Sequence, residues 1–326
     1  MHTPTTHSSQ NDLQTPLDKI QRLIQELQQG CLQEYKENIA DALDTEDVTI
    51  ALQFLFLEEF LQHRKLKLYK IKVPLNHNET IFNNYLVEPN LKAVCNAIDD
   101  SKFNWAKVGF FDGEEELVSM TKQLKRKGSF VNHRFIYKAD GVVRLQEAHD
   151  IEICVVEVSG EYLNQETRKI YFDHHKANYG CLAMLKTIAD QYKYASVDVF
   201  EQLKIYFVHA ADNKIKLWSL SYQDEVFHFW REGVLNIEPK FEDKEMYQQD
   251  AINYYWTFKC KLEETLDTIK KLQISHKDNR KKSRYNSGET PKLLSEIINP
   301  SIIKLTENEH KKGMADLGPF DSPEHN

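Results

Sequence analysis

The stretch DIEICVVEVSG, residues 150–160, constrains this chain more than any other. It is the most strand-like run in the sequence and it ends at Ser159-Gly160. Alternation puts Ile151, Ile153, Val155, Glu157 and Ser159 on one face, and Glu152, Cys154, Val156 and Val158 on the other. Glu157 therefore shares its face with apolar residues. A carboxylate near the end of a core strand is the feature any account of this chain has to explain.

Just upstream, HRFIYKADGVVRL alternates as a second strand. Asp140-Gly141 inside it reads either as a turn or as a point within or at the end of that strand, since Val142 and Val143 continue the extended pattern. The two segments, 133–143 and 151–159, are expected to lie adjacent and antiparallel. After Gly160, FDHHKANYGCLAMLKTIADQYKY predicts an amphipathic helix with Leu182, Leu185, Ile188, Ala189 and Tyr192 as its buried stripe and Asp173 as its cap. A hairpin turning at Asp212-Asn213 and a further short strand, EVFHFWREGVLNIEP, follow. The expected class is α/β (α+β): a central mixed sheet flanked by helices, with N- and C-terminal helical additions.

The flanks divide by pattern. Residues 1–15 are polar and aperiodic, a disordered tail by composition. Over 16–73, helical spacing of Leu17, Ile20, Ile24 and Leu27, then of Val48, Leu52, Leu55 and Phe56, predicts an N-terminal helical region. The core is placed at 74–240 and opens with a helix capped by Asn78, which carries Glu79 in its first turn and is interrupted at Pro89. A long helix over 241–273 carries Tyr255, Phe258, Leu262, Leu266, Ile269 and Leu272 at three- and four-residue spacing. Its 243–272 portion reads as a docking or coiled-coil surface for a protein partner. Residues 274–326 read as a disordered basic and polar tail, with Arg280, Lys281, Lys282 and Arg284 as a possible nuclear address.

At 326 residues, 41% apolar and 28% charged, the chain has the balance of a folding domain. A net charge of −8 argues against a surface coated for nucleic acid, yet local basic clusters remain. HRKLKLYKIK, and Lys122, Lys125, Arg126 and Lys127, are candidate phosphate contacts for DNA or RNA. Five scattered cysteines without CxxC spacing indicate neither disulfides nor zinc, and Cys154 and Cys181 fall on apolar faces as packing residues. The polar start has no signal-peptide pattern, and VTIALQFLFL is far short of a membrane span, so the expected location is intracellular, nucleus or cytoplasm, with no membrane partner. P-loop, dinucleotide, GxSxG and HExxH motifs are absent. DHH at 173–175 lacks the upstream aspartate motifs that a DHH phosphoesterase needs.

Carboxylates converging from strand ends suit a hard divalent cation such as Mg²⁺, which positions phosphate and activates water. ADGVV, then ICVVEVSG, then an amphipathic helix together resemble the core of the PD-(D/E)XK nuclease superfamily, over roughly residues 74–235. The ADG and EVSG strings are also similar to a group of uncharacterised proteins of early-diverging fungi. The superfamily resemblance implies a restriction-endonuclease-like core. It implies Asp140 as first acid, Glu157 as second, Glu79 as the acid of the preceding helix, and an Mg²⁺ ion bound by Asp140, Glu157 and the Val158 carbonyl. The family lysine is replaced by Ser159, which carries no charge. Lys176 is the candidate for a migrated lysine, and Lys186 a weaker one. Alternatives from other classes are a decayed nuclease fold serving as a protein-interaction module, and a nucleic-acid-binding module.

Overall fold

The computed structural model describes residues 74–98, 102–128, 136–240, 243–285 and 292–305. The chain divides into two compact units, 1–59 and 60–326, and every described residue belongs to the second. The expectations for 1–15 and 16–73, and the HRKLKLYKIK cluster, lie outside the described residues.

Six strands form one sheet in chain order: β1 (Val108–Glu116), β2 (Lys138–Leu145), β3 (Ile151–Val158), β4 (Lys204–Ala211), β5 (Lys214–Gln223) and β6 (Val226–Asn236). All neighbours are antiparallel except β3 and β4, so the sheet is mixed. The β3–β4 link must return the chain to the same end of the sheet, and a helix does this. Helices α1 (Glu79–Phe82) and α2 (Glu88–Asn96) precede the sheet, α3 (Val118–Arg126) follows β1, α4 (Thr167–Gln191) and the short α5 (Val197–Phe200) join β3 to β4, and α6 (Lys244–Tyr285) and α7 (Leu294–Ile297) close the chain. No described helix is long and apolar enough to cross a membrane.

On β3 the pairing with β2 shifts register between Val143 and Arg144, whereas β4 alternates cleanly. On β4, Phe207 and His209 turn toward α4, where the His174 ring meets Phe207, His209, Trp218 and Phe229. Tyr206, one residue away, turns to the other face and meets Phe258 of α6. The sheet thus lies between α4 and α6. All eight residues of β3 are buried, as a central strand covered on both faces requires.

Asp140-Gly141 is not a turn: both residues lie inside β2, where Gly141 pairs with Val156. Among the described residues, four elements were not read from the sequence: β1, α3 and the short helices α5 and α7. Strand β1, VGFFDGEEE, is a half-exposed edge whose acidic second half breaks the apolar alternation. Helix α4 begins at Thr167, so Asp173 is a buried residue of its second turn and not the expected cap. Pro89 does not interrupt its helix. A π turn over Asn83–Val87 carries the chain into α2 with the proline near its start, where no N–H is needed.

The last helix corrects two expectations. It runs to Tyr285, so residues 274–285 are helical and not tail, and within the expected tail Leu294–Ile297 form α7 with Leu294, Ile298 and Ile302 buried. Its stripe of Tyr255, Phe258, Leu262, Leu266, Ile269 and Leu272 is buried within the molecule and is therefore not a free surface for a partner. A polar clamp fixes this docking. Glu232 of β6 accepts from Lys204 of β4, Ser219 of β5 and Lys261 of α6 at 2.8, 2.8 and 2.6 Å. Burial works to raise its carboxyl, but the two lysines and the serine hold it at about 2.

Truncating the stripe separates the two roles. Leu266→Ala is expected to lower unfolding free energy by about 2–5 kcal/mol in urea melts of the isolated chain, the cost of a core cavity. A stripe facing a partner would leave the isolated chain's stability unchanged.

Candidate active site

Strand β3 ends where three other elements converge. The β2–β3 ladder ends at Gly141 paired with Val156, and Asp140 stands one residue beyond it. The Asp140 side chain takes the place of the next ladder bond, accepting from the Val158 backbone N–H through Oδ2 at 2.7 Å. Glu157 is 3% exposed and has two partners. Tyr137 donates its hydroxyl to Oε1 at 2.8 Å, and Lys176 of α4 donates Nζ to Oε2 at 3.0 Å. Lys176 also donates to the Lys138 carbonyl at 2.8 Å and lies 4.6 Å above the Tyr137 ring.

Glu79 joins from α1. Asn78 caps that helix, its Oδ1 accepting from Ile81 N–H at 2.8 Å, and this fixes Glu79 in the first turn. Its Oε2 accepts from the Gly160 N–H at 2.9 Å and pairs with Lys169 at 3.0 Å. The four residues singled out from the sequence, Asp140, Glu157, Glu79 and Lys176, are thus linked through consecutive residues 157–160 of one strand end. Lys186 is elsewhere, paired with Asp190 and donating to the Ser295 carbonyl.

Sequence reasoning missed Lys169 and Asp173. They stand four residues apart on α4, with Lys176 three further on and Gly180 four beyond that, one stripe over the sheet. That spacing was available in the sequence, but starting the helix at Asp173 concealed it. Asp173 Oδ2 accepts from the Ser159 hydroxyl at 2.8 Å and pairs with Lys169 at 3.4 Å. Ser159 Oγ in turn lies 2.8 Å from His209 Nε2. With the hydroxyl proton given to Asp173, His209 Nε2–H is the donor, in keeping with a ring that burial keeps neutral, well below the usual histidine range. Ser, His and Asp here do not form a hydrolytic triad. The aspartate contacts the serine instead of orienting the histidine, and Ser159 has no exposed surface.

Two glycines admit this geometry. Gly160 has φ +90°, a conformation that side chains resist, and a Cβ there would fall onto the Asn164 amide that donates to the Ser159 carbonyl at 2.9 Å. On Gly180 a Cβ would stand 2.9 Å from Tyr137 Cε1 and 2.8 Å from Leu117 Cδ2, so α4 can approach Tyr137 only without a side chain at that position.

The electrostatics follow from burial. Desolvation pushes Asp140 up to about 6; the Val158 N–H and Lys176 pull it down, while Glu79 and Asp173 push it further up. Glu157 and Asp173 are raised by burial too, against the pull of their lysines. Burial alone would lower Lys169 and Lys176, yet the surrounding carboxylates raise both, so both stay charged. Four carboxylates, Glu79, Asp140, Glu157 and Asp173, therefore face two ammonium groups, Lys169 and Lys176, a deficit of two positive charges when all are ionised. Among the described residues, no group of three or more His, Cys, Asp or Glu side chains is arranged to hold a metal ion as it stands. The carboxylate oxygens are directed at lysines, the serine and backbone N–H groups instead. No protein-family model, curated protein or solved structure matches the chain.

The raised Asp140 predicts a pH dependence. A carboxyl at about 6 in the fold against 3.8 when unconstrained contributes stability that is full below pH 3.8 and lost as pH rises through 6. Asp140→Asn should therefore stabilise the protein at pH 7.5, by up to about 3 kcal/mol in urea melts, and leave it nearly unchanged at pH 4. Equal effects at both pH values would show that Asp140 is not held in its uncharged form.

Proposed function

We propose that the chain is a divalent-metal-dependent phosphodiester hydrolase of nuclease type, with the end of β3 as its site. The observation that carries this reading is the convergence of four carboxylates, three of them raised by burial, on two lysines where a strand ends. Hard carboxylate oxygens are the donors Mg²⁺ selects, and one divalent ion would balance the cluster. Asp140 and Glu157 are the residues to hold it, with the Val158 carbonyl as the third donor implied by the PD-(D/E)XK resemblance. When bound, such an ion polarises the phosphate and lowers the pKa of the attacking water.

The chain's own groups have distinct tasks in this proposal. Lys176, whose side chain is 21% exposed, supplies the cation that Ser159 cannot and stabilises charge developing on the phosphate oxygens. Tyr137 holds Glu157 in orientation. Glu79 and Lys169 brace the Gly160 turn against α1. Water attacks phosphorus and gives up a proton to solvent or to a carboxylate, the P–O bond to the leaving oxygen breaks, and that oxygen takes a proton from solvent, so the step balances without a redox partner. A restriction-endonuclease-like core, DNA or RNA as substrate and an intracellular location belong to the same reading.

A second reading has an observation in its favour. Lys176 and Glu157 pair directly at 3.0 Å, as they would in a decayed nuclease fold that only binds. Activity decides between them. Cleavage of plasmid or single-stranded DNA is expected with Mg²⁺ or Mn²⁺, to vanish with EDTA and in Glu157→Gln, and to fall by about 10²–10³ in Lys176→Ala, by analogy with loss of one electrostatic stabiliser. In parallel, Mg²⁺ should raise the melting temperature of the parent but not of Glu157→Gln. Glu157→Gln cleaving as fast as the parent would remove the assigned site. No cleavage and no Mg²⁺-dependent shift would leave the binding module.

A further inference from the structure

The basic cluster near the end of α6 has no part in that site. Lys282 lines a cleft of about 440 Å³, together with Lys193 and Ser196 from the α4–α5 connection, Asn279 and Ser283 from α6, and Lys292 ahead of α7. Three separate chain segments thus converge on one concavity. Among the described residues that line it none is acidic, on a chain whose net charge is −8. The walls are held from behind. Asn279 donates to the Tyr194 carbonyl at 3.0 Å, Ser275 accepts from the Ser196 N–H at 2.9 Å, and the Leu294 N–H donates to the Lys193 carbonyl at 2.8 Å. The backbones that carry Lys193, Lys282 and Lys292 are therefore tied together, while the three ammonium groups have exposed side chains.

We propose that this cleft binds backbone phosphates of a polynucleotide, as a second contact remote from the carboxylates. Three ammonium groups with serine hydroxyls and an amide beside them match phosphate oxygens, which accept from all three donor types. Lys176 and the cleft stand at opposite stretches of α4. The 15 residues from Lys176 to the helix end at Gln191 span about 22 Å at 1.5 Å per residue. A strand of several nucleotides reaches that far, whereas a mononucleotide held at the carboxylates does not. The inference rests on the hydrolase reading only for which polyanion is bound; the cleft's charge stands without it.

Salt dependence reads the contact directly. Anisotropy of a labelled 40-nucleotide single-stranded DNA would be titrated with the full chain in EDTA, from 50 to 200 mM NaCl. The comparison is between the parent and Lys193→Gln/Lys282→Gln/Lys292→Gln. Each phosphate contact on a single strand contributes about 0.7 to the slope of log K against log salt, so the triple variant should flatten the slope by about 2. Its melting temperature should match the parent, since the lysines are exposed. Inorganic phosphate at 10 mM should displace little DNA at constant ionic strength if several linked phosphates are bound; full displacement would assign the cleft to free phosphate and overturn the polynucleotide proposal. An unchanged slope in the triple variant overturns it as well. DNA binding with a lysine-dependent slope but no cleavage by the parent would sink the hydrolase reading and leave the cleft standing. Cleavage with an unchanged slope would do the reverse.

Discussion

The ion pair between Lys176 and Glu157 is the contact on which the rest of this arrangement depends. Glu157 lies at the end of a strand whose every residue is buried, and a carboxylate there is tolerated only with compensating donors. Lys176 and Tyr137 provide them, and both reach Glu157 only because α4 lies close over β2 and β3. That approach requires Gly180, where a side chain would strike Tyr137. Breaking one partner of a buried pair commonly costs about 3–5 kcal/mol, because the other is left charged and unpaired. The angle of α4 on the sheet, the bare helix face at Gly180 and the rotamer of Tyr137 are therefore a single linked constraint.

The position of the cluster follows from topology. Strands β3 and β4 are the parallel pair, joined by α4. In open sheets containing parallel strands, sites form beyond the carboxyl ends of those strands, where the crossover lifts away and leaves a crevice. Glu157, Ser159 and His209 all lie at that end, and the turn at Gly160 sends the chain off toward α4. The other face of the sheet is closed by α6 and by the Glu232 clamp, so polar chemistry is confined to the α4 side.

The cluster stores unfavourable free energy. Asp140, Glu157 and Asp173 are all raised by burial, and two lysines do not offset four carboxylates. A fold selected for stability alone would place apolar residues here, since buried ionic groups are often replaced by them without loss. The concentration of these charges at a strand end is the feature on which the hydrolase proposal rests. Ser159 has Asp173 and His209 as partners, and the positive charge beside this strand end comes from Lys169 and Lys176 of the facing helix.

The sequence by itself determined the periodic elements: the alternation of β3 that set Glu157 among apolar neighbours, the β4–β5 hairpin at Asp212-Asn213, the cap at Asn78 and the apolar stripe of α6. These are encoded in spacings of two and 3.6 along the chain, which local geometry reads directly. Alternation singled out Glu157, and the PD-(D/E)XK resemblance added Asp140, Glu79 and Lys176 as candidates beside it. Edge strand β1 was not legible, since its Gly-Glu-Glu-Glu half lacks a pattern that only pairing with β2 supplies. Nor were the roles of Lys169 and Asp173, because a helical carboxylate reads equally as a cap, and only the packing of α4 buries it. Tertiary structure alone decided that the α6 stripe faces the protein's own sheet and that Lys176 points at Glu157. Both are contacts between segments far apart in sequence, and a distance in space between such segments has no local signature in the chain.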